Sequence, residues 1–263
     1  MTILERIIDN KKKELPVKKE NIPVKKLEGM SGFARKTVSL TQALLNPERT
    51  GIVAEFKRKS PSKGIINMTA TIEEVTTGYF RAGASALSVL TETEFFGGSA
   101  GDLMRAREIN PIPILRKDFI IDEYQVVESK AVGADAVLLI AAVLDRNRTK
   151  QLAALARSLH LEVILEVHDA SELALANEYI SVIGVNNRDL RDFSVDINRS
   201  VKLASLIAQD FLKISESGIH SVFALKQLRS CGYDGFLMGE RFMQEPDPAT
   251  AFAEFIKQLI QNP

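Results

Sequence analysis

Residues Ile112–Ile140 read IPILRKDFIIDEYQVVESKAVGADAVLLI. IPIL is too short for a helix and carries no helical stripe, AVLLI is apolar throughout, and DEYQVVESKAVG between them has the character of a helix closing on Gly133. Two doubly buried strands joined by a helix form a crossover, and a crossover joins parallel strands. Further units lie on both sides. IVAEF from Ile52 and ALSVL from Ala86 precede it, and LEVILEV from Leu161, ISVIGV from Ile180, FLKIS from Phe211 and GFLMG from Gly235 follow. The segments TIEEVTTGYFRAG, DRNRTKQLAALARSLH and SVFALKQLRSCG supply more helices, two of them closed by Gly83 and Gly232. The eight strands start 19 to 34 residues apart, which leaves room for a helix each time. This predicts an α/β fold in a single domain, residues 1–263: a (β/α)8 TIM barrel over 52–263 preceded by an N-terminal helical extension, 1–47. A doubly wound open sheet is the alternative, because strand count does not prove closure.

The 263 residues are 45% hydrophobic and 26% charged, which excludes a disordered chain, a collagen-like repeat or a disulfide scaffold. Lys plus Arg number 34 and Asp plus Glu 34, so no global charge draws the chain to nucleic acid. The lone Cys231 cannot form an intrachain disulfide, and with three histidines it offers no zinc-ligand spacing; a reducing cytoplasmic setting and no metal are expected. Glu5, Arg6 and Asp9 interrupt the N-terminus, unlike a signal peptide, and no stretch has the ~20 apolar residues that span a bilayer. Residues 1–47 hold ten Lys or Arg against five acids. Without interleaved aromatics they read as a solvated helix and extension across one end of the barrel rather than a polyanion-binding arm.

Polar residues collect where the strands end: Glu55 and Lys57, Thr91 and Glu92, Lys117 and Asp118, Glu166, Asn186 and Arg188, Glu216 and Ser217. In a barrel these ends form one rim, the location of active sites in this fold. Strand alternation puts Val53, Glu55 and Lys57 on one side, as it does Leu115 with Lys117, Ile164 with Glu166, and Gly184 with Asn186 and Arg188. So many charges around one mouth are costly to desolvate unless an anionic ligand completes them. Ser217, Gly218 and Gly239 follow the last two strands, where backbone N–H groups commonly bind phosphate. The loop KRKSPSKG, with Ser60, reads as a basic turn or a lid, and Phe96 and Phe119 as loop anchors or walls for an aromatic ring. His160, His168 and His220 read as capping or exposed residues, and Cys231 as packed.

From Ile52 to Gly64, IVAEFKRKSPSKG closely resembles the signature of the indole-3-glycerol phosphate synthase family, and the resemblance continues through SVLTETEFFGGS, ILRKDFIID, LEVILEV, GVNNRDL, ISESGI and FLMGE in family order. It implies a cofactor-free barrel enzyme that converts 1-(2-carboxyphenylamino)-1-deoxyribulose 5-phosphate into indole-3-glycerol phosphate, carbon dioxide and water. The resemblance makes Lys117 the general acid of ring closure, Glu166 the general base of dehydration and Glu55 the carboxylate that orients the site. Lys57 is implied to pair with substrate anions or protonate the departing hydroxyl, and Ser60, Phe96, Phe119, Asn186, Arg188, Glu216, Ser217, Gly218 and Gly239 to bind substrate. Glu240 departs from the serine of some members, and Arg116 has no role in this reading. A monomer or weak homo-oligomer is expected, with possible association with other tryptophan-pathway enzymes.

Rival readings are a phosphoribosylanthranilate isomerase-like barrel, a Schiff-base aldolase using Lys117 or Lys57, and a non-catalytic phosphate-binding scaffold. The first needs a cysteine base at the end of strand one, where this chain has Glu55 and Lys57.

Overall fold

The computed structural model of the chain describes residues 1–189 and 193–261. Leu190, the last residue of the GVNNRDL stretch, lies outside them. Four helices come first: α1 (Ile3–Asn21), α2 (Val24–Glu28), α3 (Ser31–Ala34) and α4 (Leu40–Leu45). Eight parallel strands then close into a barrel: β1 Ile52–Phe56, β2 Ala86–Leu90, β3 Ile114–Lys117, β4 Ala136–Ile140, β5 Glu162–Val167, β6 Val182–Asn186, β7 Leu212–Glu216 and β8 Gly235–Met238. Each strand pairs with the next, and β8 pairs back to β1, which rules out the open sheet. β3 starts at Ile114 rather than Ile112. Pro113 has no N–H for the ladder, although its carbonyl accepts from Leu87 at 2.9 Å.

The crossovers are α5 (Ile72–Arg81), α6 (Ala100–Ile109), α7 (Glu123–Ala131), α8 (Arg146–Ser158), a 3-10 turn at Ala170–Leu175, α9 (Asn198–Leu203) and α10 (Val222–Ser230). After β8 come α11 (Glu240–Met243) and α12 (Pro248–Gln261). Thr71, Ser99, Asp122, Asp145 and Ser221 cap α5, α6, α7, α8 and α10 by accepting a first-turn N–H. Gly83, Gly133 and Gly232 leave their helices with φ of +100°, +93° and +88°, the conformation predicted for them.

Alternation along the strands divides the core in two. Val53, Leu115, Ile164, Val182 and Ile214 fill the barrel interior, while Ala54, Leu87, Val89, Val163, Leu165 and Val185 face the helices. The interior positions turn from apolar to ionisable toward the strand ends, as from Val53 to Glu55 and from Ile164 to Glu166.

The extension lies at both ends of the barrel, not one. Ile7 of α1 packs in the interior cluster with Phe119 and Ile140 at the C-terminal mouth, and the Arg6 guanidinium sits 5.8 Å from the Phe95 ring centroid. Both α2 and α3 pack on α7. At the opposite end α4 plugs the barrel with Leu40 and Leu44. Its start is tied to the first residue of β5, where Glu162 accepts from Ser39 Oγ at 2.7 Å and Thr41 N at 2.8 Å. A barrel interior is apolar but open at both ends, so covering each end buries side chains that water would otherwise reach.

Arg116, without a role in the sequence reading, faces the sheet–helix layer and is fully buried. It donates from Nη2 to Asp118 Oδ2 at 3.0 Å and Glu128 Oε2 at 2.6 Å, and from Nε to Thr91 Oγ1 at 2.9 Å. Lys11 of α1 completes the network, its Nζ 3.0 Å from Asp118 Oδ1. Burial opposes ionisation of Asp118, but Lys11 and then Arg116 hold its carboxyl well below the usual carboxylate range. Lys11→Met should therefore destabilise the fold at pH 7 by about 3–5 kcal/mol, the cost of removing one partner of a buried pair. Because the Asp118 pKa is depressed, its ionised form adds stability above about pH 4 that is lost on acidification, so the gap between wild type and variant should narrow as pH falls. Urea unfolding across that range checks both the size and the sign; equal stability at pH 7 would refute the role of the pair.

Candidate active site

The interior ends of five strands deliver polar side chains, four of them ionisable, to one cavity at the C-terminal mouth. Glu55, Lys117, Glu166, Asn186 and Glu216 all line it, with Lys57 one residue and Arg188 two residues beyond their strands. At its centre, Lys117 Nζ donates to Glu166 Oε2 at 2.8 Å and to Glu216 Oε2 at 2.6 Å. Beside this trio Lys57 Nζ lies 3.1 Å from Glu55 Oε1, and Ser88 Oγ donates to Glu55 Oε2 at 3.2 Å.

Two glycines make the crowding possible. A Cβ on Gly184 would lie 2.4 Å from Glu216 Oε1, and one on Gly239 would lie 2.7 Å from the Cβ of Glu55. β6 and the turn after β8 each pass close to a glutamate because the backbone has no side chain there.

The Lys117 ammonium and its two carboxylate partners titrate unequally. Burial disfavours the Lys117 ammonium, but Glu166, Glu216 and Glu55 hold its pKa above the ordinary lysine range. Burial likewise opposes ionisation of Glu166, yet Lys117 and then His168 keep its pKa below the usual value, with Asn186 assisting. Glu216 goes the other way: burial pushes it up to about 7, Lys117 only partly offsets this, and the Glu166 charge adds to it. Its Oε1 has no hydrogen-bond partner among the described residues. One ammonium between two carboxylates thus leaves Glu166 ionised and Glu216 the readily protonated partner.

The remaining predicted residues fall on two sides of this centre. Phe96 and Phe119 form an aromatic wall with ring centroids 5.9 Å apart. Glu92 holds the turn that presents Phe96, accepting from the N–H groups of Phe95 at 2.7 Å and Phe96 at 3.0 Å, so this carboxylate serves the loop rather than the cavity. On the other side, a pocket of about 390 Å³ is lined by Ser217, Gly218 and Gly239 together with Lys57, Arg188 and Glu240. Ser217 and Gly218 both have positive φ, +68° and +75°, and a Cβ on Gly218 would lie 2.4 Å from Val195 Cγ1. A left-handed serine at such a place stores backbone strain of the kind that collects at ligand-binding turns. Glu240 accepts from Arg188 Nη2 at 3.1 Å, and Lys63 Nζ approaches it at 3.9 Å.

Ser60 is buried in the wall of the larger cavity, where its Oγ accepts from Lys63 N at 3.3 Å. The loop carrying it forms a short hairpin, Lys59–Ser60 against Gly64–Ile65. Two of its cations are committed elsewhere: Arg58 makes a bidentate pair with Asp102, and Lys59 Nζ donates to the Glu94 carbonyl at 2.5 Å.

His168 corrects the sequence reading. It is neither a cap nor exposed, but mostly buried two residues beyond Glu166, with Nε2 3.6 Å from Glu166 Oε1 and Nδ1 3.5 Å from Glu172 Oε2. His160, at φ +61° after α8, and exposed His220 do match their readings. Sequence reasoning also missed Ser88 and Glu172. Ser88 was findable, since its side chain lies on the interior parity of β2; Glu172 comes from an irregular turn with no periodic signal.

Fold and site together define a (β/α)8-barrel enzyme with its acid–base groups on the C-terminal strand ends. The family model described as indole-3-glycerol phosphate synthase matches residues 4–255. The indole-3-glycerol phosphate synthase of Bacteroides thetaiotaomicron is 47% identical over 257 residues, covering 98% of each chain. That of Albidiferax ferrireducens is 40% identical over 256 residues, covering 96% of this chain and 97% of the relative. The chain belongs to the indole-3-glycerol phosphate synthase family. In fold alone it is also similar to 3-hexulose-6-phosphate synthase from Salmonella typhimurium, at a TM-score of 0.61 and 16% identity over 81% of this chain and all of the other. A mutant tryptophan synthase alpha-subunit from Pyrococcus furiosus has a TM-score of 0.59 at 9% identity, covering 80% of this chain and 98% of the other.

Gly184→Ala tests the geometry of the trio. The added methyl must displace Glu216 or the Ile164 methyl 3.0 Å away. It should cost about 1–3 kcal/mol of stability, as overpacking does, and turnover should fall by more than the stability loss explains. Unfolding curves and steady-state rates measured on the same preparation check this, and unchanged turnover would mean the trio tolerates a shift of Glu216.

Proposed function

We propose that the protein acts as a carboxy-lyase, closing the indole ring of 1-(2-carboxyphenylamino)-1-deoxyribulose 5-phosphate with loss of carbon dioxide and then water. The observation that carries the reading is the Lys117 ammonium between Glu166 and Glu216, at 2.8 and 2.6 Å, with an aromatic wall on one side and a glycine-lined pocket on the other.

In this reading the anthranilate ring rests against Phe96 and Phe119 and the phosphate meets the backbone N–H groups of Ser217, Gly218 and Gly239. Ser60, Lys57, Asn186 and Arg188 contact the sugar and the anionic ends of the substrate. Lys117 protonates the ketone oxygen as the carboxylate-bearing ring carbon attacks the carbonyl carbon. The raised pKa keeps Lys117 charged and makes it a weaker acid, so the donation draws on the basicity of the developing alkoxide. The new bond breaks the aromaticity of that ring carbon; cleavage of its bond to the carboxylate releases carbon dioxide and returns the electron pair to the ring. Glu216, protonatable near neutrality and hydrogen-bonded to Lys117, is placed to return the donated proton. Dehydration then requires a base and an acid: Glu166 takes the proton, and Lys57, oriented by Glu55, supplies one to the departing hydroxyl. The charge arrangement supplies electrostatic stabilisation in a largely desolvated mouth.

The Schiff-base alternative needs a neutral amine as nucleophile, and the carboxylates around Lys117 favour the ammonium instead. Glu240 neutralises Arg188 beside the phosphate pocket, so backbone donors carry more of the phosphate binding in this chain. We read the protein as a cytoplasmic enzyme with a small phosphorylated substrate and with neither nucleic acid nor membrane as partner. The zero formal net charge supports the absence of a nucleic-acid partner, and no helix among the described residues is long and apolar enough to cross a membrane.

Lys117→Met and Glu166→Gln should each lower turnover by about 10²–10⁴-fold, the range for removing one acid–base group, while unfolding remains cooperative. The assay follows product indole fluorescence from the carboxyphenylamino substrate, against low background because the chain has no tryptophan. Near-normal turnover in either variant would remove that residue from the mechanism.

A further inference from the structure

His168 follows β5, two residues after Glu166, and its imidazole is enclosed between two carboxylates. One ring nitrogen points toward Glu166 Oε1 at 3.6 Å and the other toward Glu172 Oε2 at 3.5 Å; both are buried, and neither has a hydrogen-bond partner among the described residues. A neutral imidazole carries one donor and one acceptor, so between two ionised carboxylates one nitrogen lone pair would confront a carboxylate oxygen. Only the doubly protonated ring presents N–H to both sides. Glu172 is itself fixed by a 2.6 Å hydrogen bond from the backbone N–H of His168.

We propose that His168 is a positioning residue, an imidazolium bridging Glu172 and Glu166 that holds Glu166 ionised and oriented from the side opposite Lys117. Glu166 is then gripped at both oxygens, Oε2 by Lys117 and Oε1 by His168. The role rests on reading Glu166 as the general base, because a base must be ionised to act. The other charges facing the pair are accounted for. Around His168 stand Glu172 and Asp169, which favour its cation, and Arg199, which opposes it. Around Glu166 stand Lys117 and the carboxylate of Glu216, and Glu55 faces those two in turn. Burial disfavours the imidazolium, but Glu172 and Glu166 outweigh it and keep the His168 pKa above the ordinary histidine value.

Two measurements test this. In the first, NMR follows the His168 ring through a pH titration of the whole protein, with His160 and His220 as exposed references. His168 should titrate above about 6.5, the ordinary imidazole value, and Glu172→Gln should lower its midpoint without touching the cavity. In the second, kcat/KM is measured against pH. His168→Gln should move the acid limb up by about one unit, as expected when a positive charge near a carboxylate is removed, and His168→Lys should move it back. A His168 midpoint at or below 6.5 in the wild type, or an acid limb that does not move, would overturn the inference. If Glu166→Gln turns over normally, the base assignment fails instead, and the NMR arm alone then decides whether His168 is an imidazolium.

Discussion

The ammonium of Lys117 is the interaction on which the mouth of this barrel depends. Three carboxylates project into a space that alternation along parallel strands makes unavoidable, and ionised oxygens at that spacing repel one another strongly when shielded from water. Lys117 satisfies two of them at once and Lys57 the third. The residual imbalance is met by Glu216 holding its proton readily and by Ser88, Asn186 and His168 turned toward the carboxylates. The same arrangement that makes the folded mouth tolerable therefore sets the Lys117 ammonium between a carboxylate held ionised and one that protonates near neutrality.

The barrel and most of its site were legible in the chain because both rest on a period of two. Once Val53, Leu115, Ile164 and Val182 are read as interior, Glu55, Lys117, Glu166 and Asn186 follow by parity, and parallel closure brings them together. What escaped was information that parity does not contain. Arg116 lies on the outward face of β3, where a buried apolar residue was the reasonable expectation; its partners are Thr91 just after β2, Asp118 just after β3 and Glu128 of α7, with Lys11 of α1 joined through Asp118, and no pattern in the sequence announces such a network. Glu92 and Asp118 share the rim in sequence but spend their carboxylates on backbone N–H groups and on buried cations. His168 is the instructive miss, since it continues the parity of Ile164 and Glu166 beyond the end of the strand, and the signal was present though read as exposure.

The division of the cavity has a structural logic of its own. The aromatic wall comes from the loops after β2 and β3, and the glycine-lined pocket from those after β7 and β8, on the far side of the barrel axis. A ligand with a ring at one end and an anion at the other must therefore cross over Lys117. Backbone strain at Ser217 and buried charge at Lys117 lie along that line, whereas the barrel interior beneath it is filled by aliphatic residues such as Val53, Leu115, Ile164, Val182 and Ile214.

The extension that caps both ends also constrains how the chain assembles. Ser39 and Thr41 meet Glu162 more than a hundred residues later, and Lys11 meets Asp118 at similar remove, so these ties cannot form until distant parts of the chain have come together. Contacts so distant in sequence form late and slowly. Residues 1–47 thus act as a clasp on the barrel, with Ile7, Leu40 and Leu44 sheltered only against staves that lie far along the chain.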